Sequence, residues 1–447
     1  MFTDQGKPER LNIMKLSING GKRIRDRKFP SYNTIGREEE KAVLRIIKTG
    51  VLSKFLGSWH KDFYGGPEMQ AFEKEWAEYF NVKHAIAVNS ATSGLYCAIG
   101  AVRIGPGDEV VVSPYTMSAT ATSILIFNGV PVFADIEEDY FCLDPKSVKE
   151  RITERTKAIM VVDIFGQPYD ADKINKIAKD NNLFVIEDCA QAPYAKYKGR
   201  WAGTLGDIGV YSLNYHKHIH TGEGGVVVTN NDELADRIRL IRNHAEAVVE
   251  DKGVKDITNM IGFNFRMTEI EASIGRCQLR KLKGLAEKRI DNANYIIDRL
   301  GKLPGIRPVL VRKDCSHVYY VQCFKYDEDT VGVPRNAFIE ALKAELAPTK
   351  GRETEGVRMA AGYVKPLYLE PVYQNKIGYG VKGCPFKCPM YKGVVDYKKG
   401  ICPVTERMHE KELFMHDLVH AFMKRKDLDD VVKAFEKVYS LRKEIKE

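Results

Sequence analysis

Lys217, Asp188, Ser212 and the turn Ser90-Ala91-Thr92 are the positions whose types and spacing can do chemistry, and all four adjoin apolar runs. The turn continues as Ser93-Gly94 and lies between a strand-like and a helix-like segment. Amides that open a helix have no intrahelical partner and stabilise an anion, and Thr92 and Ser93 add hydroxyl donors. The same residues also read as an ordinary cap. Asp188 ends the run 183–187. A carboxylate there can bind metal, or can keep a pyridine nitrogen protonated and so strengthen an electron sink. Glu187 beside it points to the opposite face of the strand. Lys217 lies in SLNYHKHIHTGEGG, residues 212–225, among His216, His218 and His220. Its amine can form a Schiff base with a cofactor aldehyde and then shuttle a proton. A surface lysine is the competing reading. A histidine metal site is another, although alternation within one loop gives no clean ligand geometry.

The elements that must position these groups follow an α/β order. Strands are expected at 84–89, 108–113, 131–134, 158–163, 183–187, 207–212 and 225–229, and helices at 93–102, 117–127, 144–152, 170–180 and 232–241. Near-continuous Val/Ile runs mean strands buried on both faces of a mostly parallel sheet, with helices on each side. Such sheets bind ligands at the carboxyl ends of their strands. Helical spacing also marks 36–48 and 68–79, ahead of the first strand. After about residue 285 the reading changes to a smaller α+β domain, with helices at 286–300, 334–346 and 428–441 and a strand at 316–324. The division is therefore an N-terminal extension at 1–33, a large domain at 34–285, and a small domain at 286–447 with an irregular insert at 351–407.

Composition excludes several classes. The 447 residues are 44% hydrophobic and 29% charged, the profile of a soluble globular protein too long for one simple core. The net charge of +9 is a mild bias that favours anionic substrates without indicating nucleic acid. No zinc-finger spacing or paired aromatic RNA-binding motif is present. No run of 18 apolar residues occurs, so no membrane span is expected. The first residues lack the apolar core of a secretion signal, which makes the cytoplasm the default location. Nine cysteines, an odd number, fit reduced thiols better than a disulfide framework.

Taken as a set, the motifs SATSGL (90–95), SPYTMSAT (113–120), IEDCAQA (186–192), SLNYHKHIHTGEGG (212–225), IRNH (241–244) and GFNFRMTEIEASIGRCQL (262–279) resemble the DegT/DnrJ/EryC1/StrS family of sugar aminotransferases. The resemblance is strong over residues 34–290. It implies the type I fold of pyridoxal 5′-phosphate (PLP) enzymes, that of aspartate aminotransferase. It implies that Lys217 carries PLP as a Schiff base and that Asp188 pairs with the pyridine nitrogen. Gln191 then lies near the cofactor O3′, and Ser212 with Ala91 and Thr92 holds the phosphate. Asn264 reaches the phosphate of a neighbouring subunit, which implies a homodimer with shared active sites. The family usually has an aromatic ring stacked on PLP where this chain has Met117; Tyr115 is a conceivable substitute, and a methionine can also cover a ring face. Some relatives carry histidine at the lysine position and run a dehydration. Here Lys217 stands five residues after Ser212, which favours transamination. The implied function is ping-pong transfer of an amino group from an amino acid, usually glutamate, to a keto sugar carried on a nucleotide. A keto-cyclitol or free keto sugar is the alternative acceptor, and a non-catalytic PLP-binding regulator is the rival of another class.

Cys384, Cys388 and Cys402, with His409 nearby, admit three readings: free structural thiols, a zinc site or a disulfide. The aromatics Tyr368, Tyr373, Tyr379 and Phe386 around them suit a sugar-binding wall better than a core.

Overall fold

The computed structural model describes residues 15–445. Two helices, α1 (Arg37–Thr49) and α2 (Pro67–Phe80), precede the alternating strands and helices of the large domain. These are β1 (His84–Val88), α3 (Ala91–Ala101), β2 (Glu109–Val112), α4 (Ser118–Ile126), β3 (Val130–Phe133), α5 (Pro145–Arg151), β4 (Thr156–Val162), α6 (Ala171–Asp180) and β5 (Phe184–Asp188). A small hairpin of β6 (Lys196–Tyr197) and β7 (Arg200–Trp201) follows, then β8 (Ile208–Ser212), β9 (Gly225–Thr229) and α7 (Asp232–Arg242).

The seven large strands pair in the order β1-β9-β8-β5-β4-β2-β3. Only β9 runs against its neighbours. Alternate residues of one strand enter different cores: Val110 and Val112 face one layer, Val111 the other. This is the two-sided burial that the unbroken Val/Ile runs require. β5 sits at the middle of the order, so Asp188 at its end lies over the centre of the sheet.

Helix α8 (Glu269–Leu300) is far longer than the expected 286–300. Thr268 accepts from the Glu271 amide, and the Glu271 carboxylate accepts from the Thr268 amide; this capping box fixes its start. The helix contributes Ala272, Leu279 and Leu282 to the large-domain core and Ala293, Ile296 and Leu300 to the small-domain core. The seam at 285/286 falls inside it.

The small domain adds β10 (Ile306–Pro308), β11 (Gln322–Tyr326), α9 (Glu328–Val331), α10 (Arg335–Glu345), β12 (Met359–Ala361), α11 (Pro371–Gln374), α12 (Pro403–Arg407), β13 (Leu413–His416) and α13 (Arg425–Ser440). Its four antiparallel strands run β10-β11-β13-β12. The strand expected at 316–324 begins only at Gln322. Ahead of it the backbone hydrogen bonds go elsewhere: the Val318 amide donates to the Gly166 carbonyl, and Arg289 donates to the carbonyls of Tyr319 and Tyr320. Within the expected extension, residues 1–14 lie outside the described residues, whereas Leu16 and Phe29 are buried in the small-domain core. Arg25 is clamped there between Asp427 at 2.9 Å and Asp430 at 2.6 Å.

Tyr368, Tyr373 and Phe386 of the insert are core rather than a sugar-side wall. Tyr368, Tyr373 and Tyr397 pack on Phe133 of β3, with ring centroids 5.8, 5.2 and 5.6 Å away. The Tyr397 hydroxyl donates to the Pro131 carbonyl at 2.6 Å, and the Tyr391 hydroxyl to Glu109 at 2.7 Å. β3 is an edge strand, and the segment covers an edge that would otherwise present unpaired carbonyls. Among the described residues no helix is long and apolar enough to cross a membrane. Tyr373→Ala should lower stability by about 3–5 kcal/mol, measured as a fall in the urea midpoint, because it empties a buried aromatic site. Tyr373→Phe should be neutral or slightly stabilising, since the buried hydroxyl it removes has no partner.

Candidate active site

The carboxyl end of the sheet opens into a cavity of about 410 Å³ whose lining includes Lys217, Asp188, Ser212, Gln191, Met117 and the Ser90-Ala91-Thr92 turn. Asp188 is buried. The Thr120 hydroxyl donates to its Oδ2 at 2.7 Å, and the Ala190 amide donates to Oδ1 at 3.2 Å. Burial pushes this carboxyl above its ordinary value, opposed by the Thr120 and Ala190 hydrogen bonds and the Lys217 charge. Glu187, one residue earlier, turns to the other face and accepts from the amides of Gly203, Leu205 and Gly206.

Helix α3 starts at Ala91, two residues earlier than its apolar pattern shows. Ser90 is its cap and accepts from the Ser93 amide at 3.1 Å. The first intrahelical bond runs from the Gly94 amide to the Ser90 carbonyl, so the Ala91 and Thr92 amides precede the ladder. β9 begins directly against this turn. A Cβ on Gly225 would lie 2.7 Å from the Ala91 nitrogen, so only glycine permits the approach.

Lys217 sits in the bend after β8, its amide donating to the Asn214 carbonyl at 2.9 Å. Its Nζ lies 4.2 Å from the centre of the Tyr320 ring. The three neighbouring histidines do not converge. His216 Nδ1 meets Arg352, His218 Nε2 meets the Val318 carbonyl at 2.9 Å, and His220 Nδ1 accepts from the Gly222 amide. Burial pushes the His218 imidazole down to about 3. Among the described residues no group of three His, Cys, Asp or Glu side chains could hold a metal, in this loop or around Cys384, Cys388 and Cys402.

Gln191 is held at both ends, accepting from the Phe165 amide at 2.7 Å and donating to the Tyr363 hydroxyl at 3.0 Å. Met117 lines the cavity and is 60% exposed. Tyr115 is not its aromatic substitute: it is buried, and its hydroxyl accepts from the Tyr363 amide at 2.9 Å. Asn264 is exposed and outside the cavity, with Oδ1 accepting from Arg266. Sequence reasoning missed Thr120, Tyr320 and Tyr363. Thr120 lies inside the SPYTMSAT motif and was accessible. The two tyrosines come from irregular small-domain segments with no local signal.

The set suits PLP: an amine, a buried carboxyl, and the helix-opening amides and Ser212 hydroxyl, which suit a phosphate, beside a glycine-only approach. A model of the DegT/DnrJ/EryC1/StrS aminotransferase family matches residues 52–387. The chain belongs to this family. It shares the family's PLP-enzyme fold class. It is 44% identical over 274 residues to GDP-perosamine synthase of Caulobacter vibrioides, covering 61% of this chain and 72% of that one. It is 29% identical over 448 residues to L-glutamine:2-deoxy-scyllo-inosose aminotransferase of Micromonospora echinospora, covering 96% and 99%. Among solved structures, an aminotransferase from Psychrobacter cryohalolentis superposes with a TM-score of 0.77 at 29% identity, covering 92% of this chain and 99% of that one.

The raised Asp188 carboxyl has a consequence for the cofactor-free protein. The folded state binds this proton more tightly than the unfolded state, so stability is lost as pH rises from the ordinary value of 3.8 through the raised one. Asp188→Asn removes that loss. Urea unfolding of both cofactor-free proteins from acid to neutral pH should show the difference moving toward the variant, by about 1.4 kcal/mol per unit of displacement. Asp163 and Glu187, also raised by burial, contribute with the same sign in both proteins and cancel in the comparison.

Proposed function

We propose that this protein is a PLP-dependent aminotransferase that takes an amino group from an amino acid, in our reading L-glutamate, and delivers it to the ketone of a nucleotide-linked sugar. The observation that carries the reading is the meeting of Lys217, Asp188, Ser212 and the α3 N-terminus in one cavity. When bound, PLP supplies an electron sink that stabilises negative charge on the substrate carbon bearing nitrogen.

Each residue then has a task. The Lys217 amine would hold the cofactor and, when free, would take the proton from that carbon. Asp188 holds a proton on the pyridine nitrogen, and Thr120 orients Asp188. The amides of Ala91 and Thr92, with the Ser212 hydroxyl, bind the phosphate. Gln191 has a second amide hydrogen to offer near the ring oxygen, and Met117 covers a ring face. The exposure of Asn264 outside its own cavity supports a role at the phosphate of a neighbouring subunit in a homodimer. The likeness to GDP-perosamine synthase supports a nucleotide-sugar acceptor. The near full-length match to an aminotransferase named for 2-deoxy-scyllo-inosose supports a keto-cyclitol as the second reading, with glutamine as donor.

Borohydride treatment of the PLP-loaded protein should fix the cofactor on the peptide containing Lys217, read by mass spectrometry, and Lys217→Ala should give no adduct. Modification at another lysine would remove the assignment. Asp188→Asn should keep covalent attachment yet lose turnover by about a hundredfold or more, taking roughly 3 kcal/mol for a lost electrostatic contact in the transition state. Single-turnover rates with L-glutamate and L-glutamine, followed by a screen of keto sugars and keto-cyclitols, separate the two acceptor readings.

A further inference from the structure

The cavity lining is short of positive charge. Among the described residues it carries two carboxylates, Asp188 and Glu223, and one cation, Lys217. An amino-acid donor brings an α-carboxylate to the same space, and Lys217 is already committed to the cofactor and the proton. Arg352 stands one layer back and reaches the cavity through His216.

The Arg352 guanidinium lies 2.8 Å from Nδ1 of His216. Arginine has only donors, so Nδ1 must be the acceptor and the imidazole proton must sit on Nε2. The guanidinium is itself fixed, donating from Nε and a terminal nitrogen to the two oxygens of Glu355 at 2.5 and 2.6 Å. Arg358 donates to the same carboxylate at 2.8 Å. The His216 ring lies 3.7 Å from the Tyr215 ring, centre to centre, and lines the cavity. Among the described residues Nε2 has no hydrogen-bond partner, while the backbone amide is already used on Asn214. His216 therefore offers one unspent N–H donor next to Lys217, backed by a positive charge.

We propose that His216 is a specificity-determining residue that donates its Nε2–H to the α-carboxylate of the amino donor, with Arg352 as the positioning residue that fixes the tautomer. The inference rests on the aminotransferase reading above. The charged groups facing His216 are Arg352, Lys217 and Glu355; burial and the two cations hold the imidazole below its ordinary value, so it stays neutral at neutral pH.

The test uses the PLP-loaded protein. In single-turnover reactions with the amino donor, His216→Leu should raise KM about ten- to a hundredfold, the range for a lost hydrogen bond to a charged group, with kcat little changed. His216→Gln, which restores an N–H donor, should recover part of the loss. Calorimetric titration with glutarate, a dicarboxylate with no amine to transfer, should show Kd weakened by a similar factor in His216→Leu. Arg352→Leu leaves the tautomer unfixed, so the donor KM should rise with kcat little changed, and Arg352→Lys, which restores a donor to Nδ1, should recover part of the loss. An unchanged donor KM and glutarate Kd in His216→Leu, with cofactor absorbance and unfolding midpoint intact, overturns the proposal alone. So does a fall confined to kcat, which would place His216 at the reacting atoms. A wild type that reacts with no amino donor overturns the aminotransferase reading and this proposal together.

Discussion

A carboxyl group buried in an apolar interior is the constraint around which this molecule is arranged. Removing an unpaired charge from water costs several kcal/mol, and Asp188 is buried at the centre of a seven-stranded sheet. Its compensation arrives from three directions: a hydroxyl from α4, an amide two residues along its own chain, and the charge of Lys217 from the bend after β8. A pyridinium nitrogen completes the set in the proposed holoenzyme. The sheet order serves this geometry, because β5 lies next to β8, which delivers Ser212 and Lys217.

The large domain was legible because its chemistry and periodicity agree. Every strand that builds the sheet comes from a short apolar run, and Thr92, Met117, Asp188 and Ser212 lie within two residues of a strand or helix end. What was not legible is decided by distant partners. Residues 316–321 have a strand-like pattern, yet their backbone groups are taken by Gly166 and by Arg289. No local propensity contains that information. The aromatics of the insert posed a related problem. A ring that covers a sheet edge and a ring that stacks on a sugar have the same composition and the same flanking glycines and prolines. Only the position of Phe133 and the carbonyl of Pro131 separates them.

The site itself divides along the same line. Lys217, Asp188, Ser212, Gln191, Met117 and the Ala91–Thr92 turn line one cavity. Asn264 stands apart from it on the surface of the single chain. Thr120 supports the cavity from within a motif, whereas Tyr320 and Tyr363 line it without a spacing that announces them. The two tyrosines are also where the small domain touches the cavity: Tyr320 lies under the Lys217 amine, and Tyr363 holds Gln191.

Helix α8 gives this contact a mechanical character. At 32 residues it is about 48 Å long, and its two halves belong to different cores. From its second half Arg289 grips the carbonyls of Tyr319 and Tyr320. The ring against Lys217 is therefore fastened to a beam that is continuous with the large domain. A hinge at the domain seam would have to break that beam, so a lid-like opening there is the expensive motion.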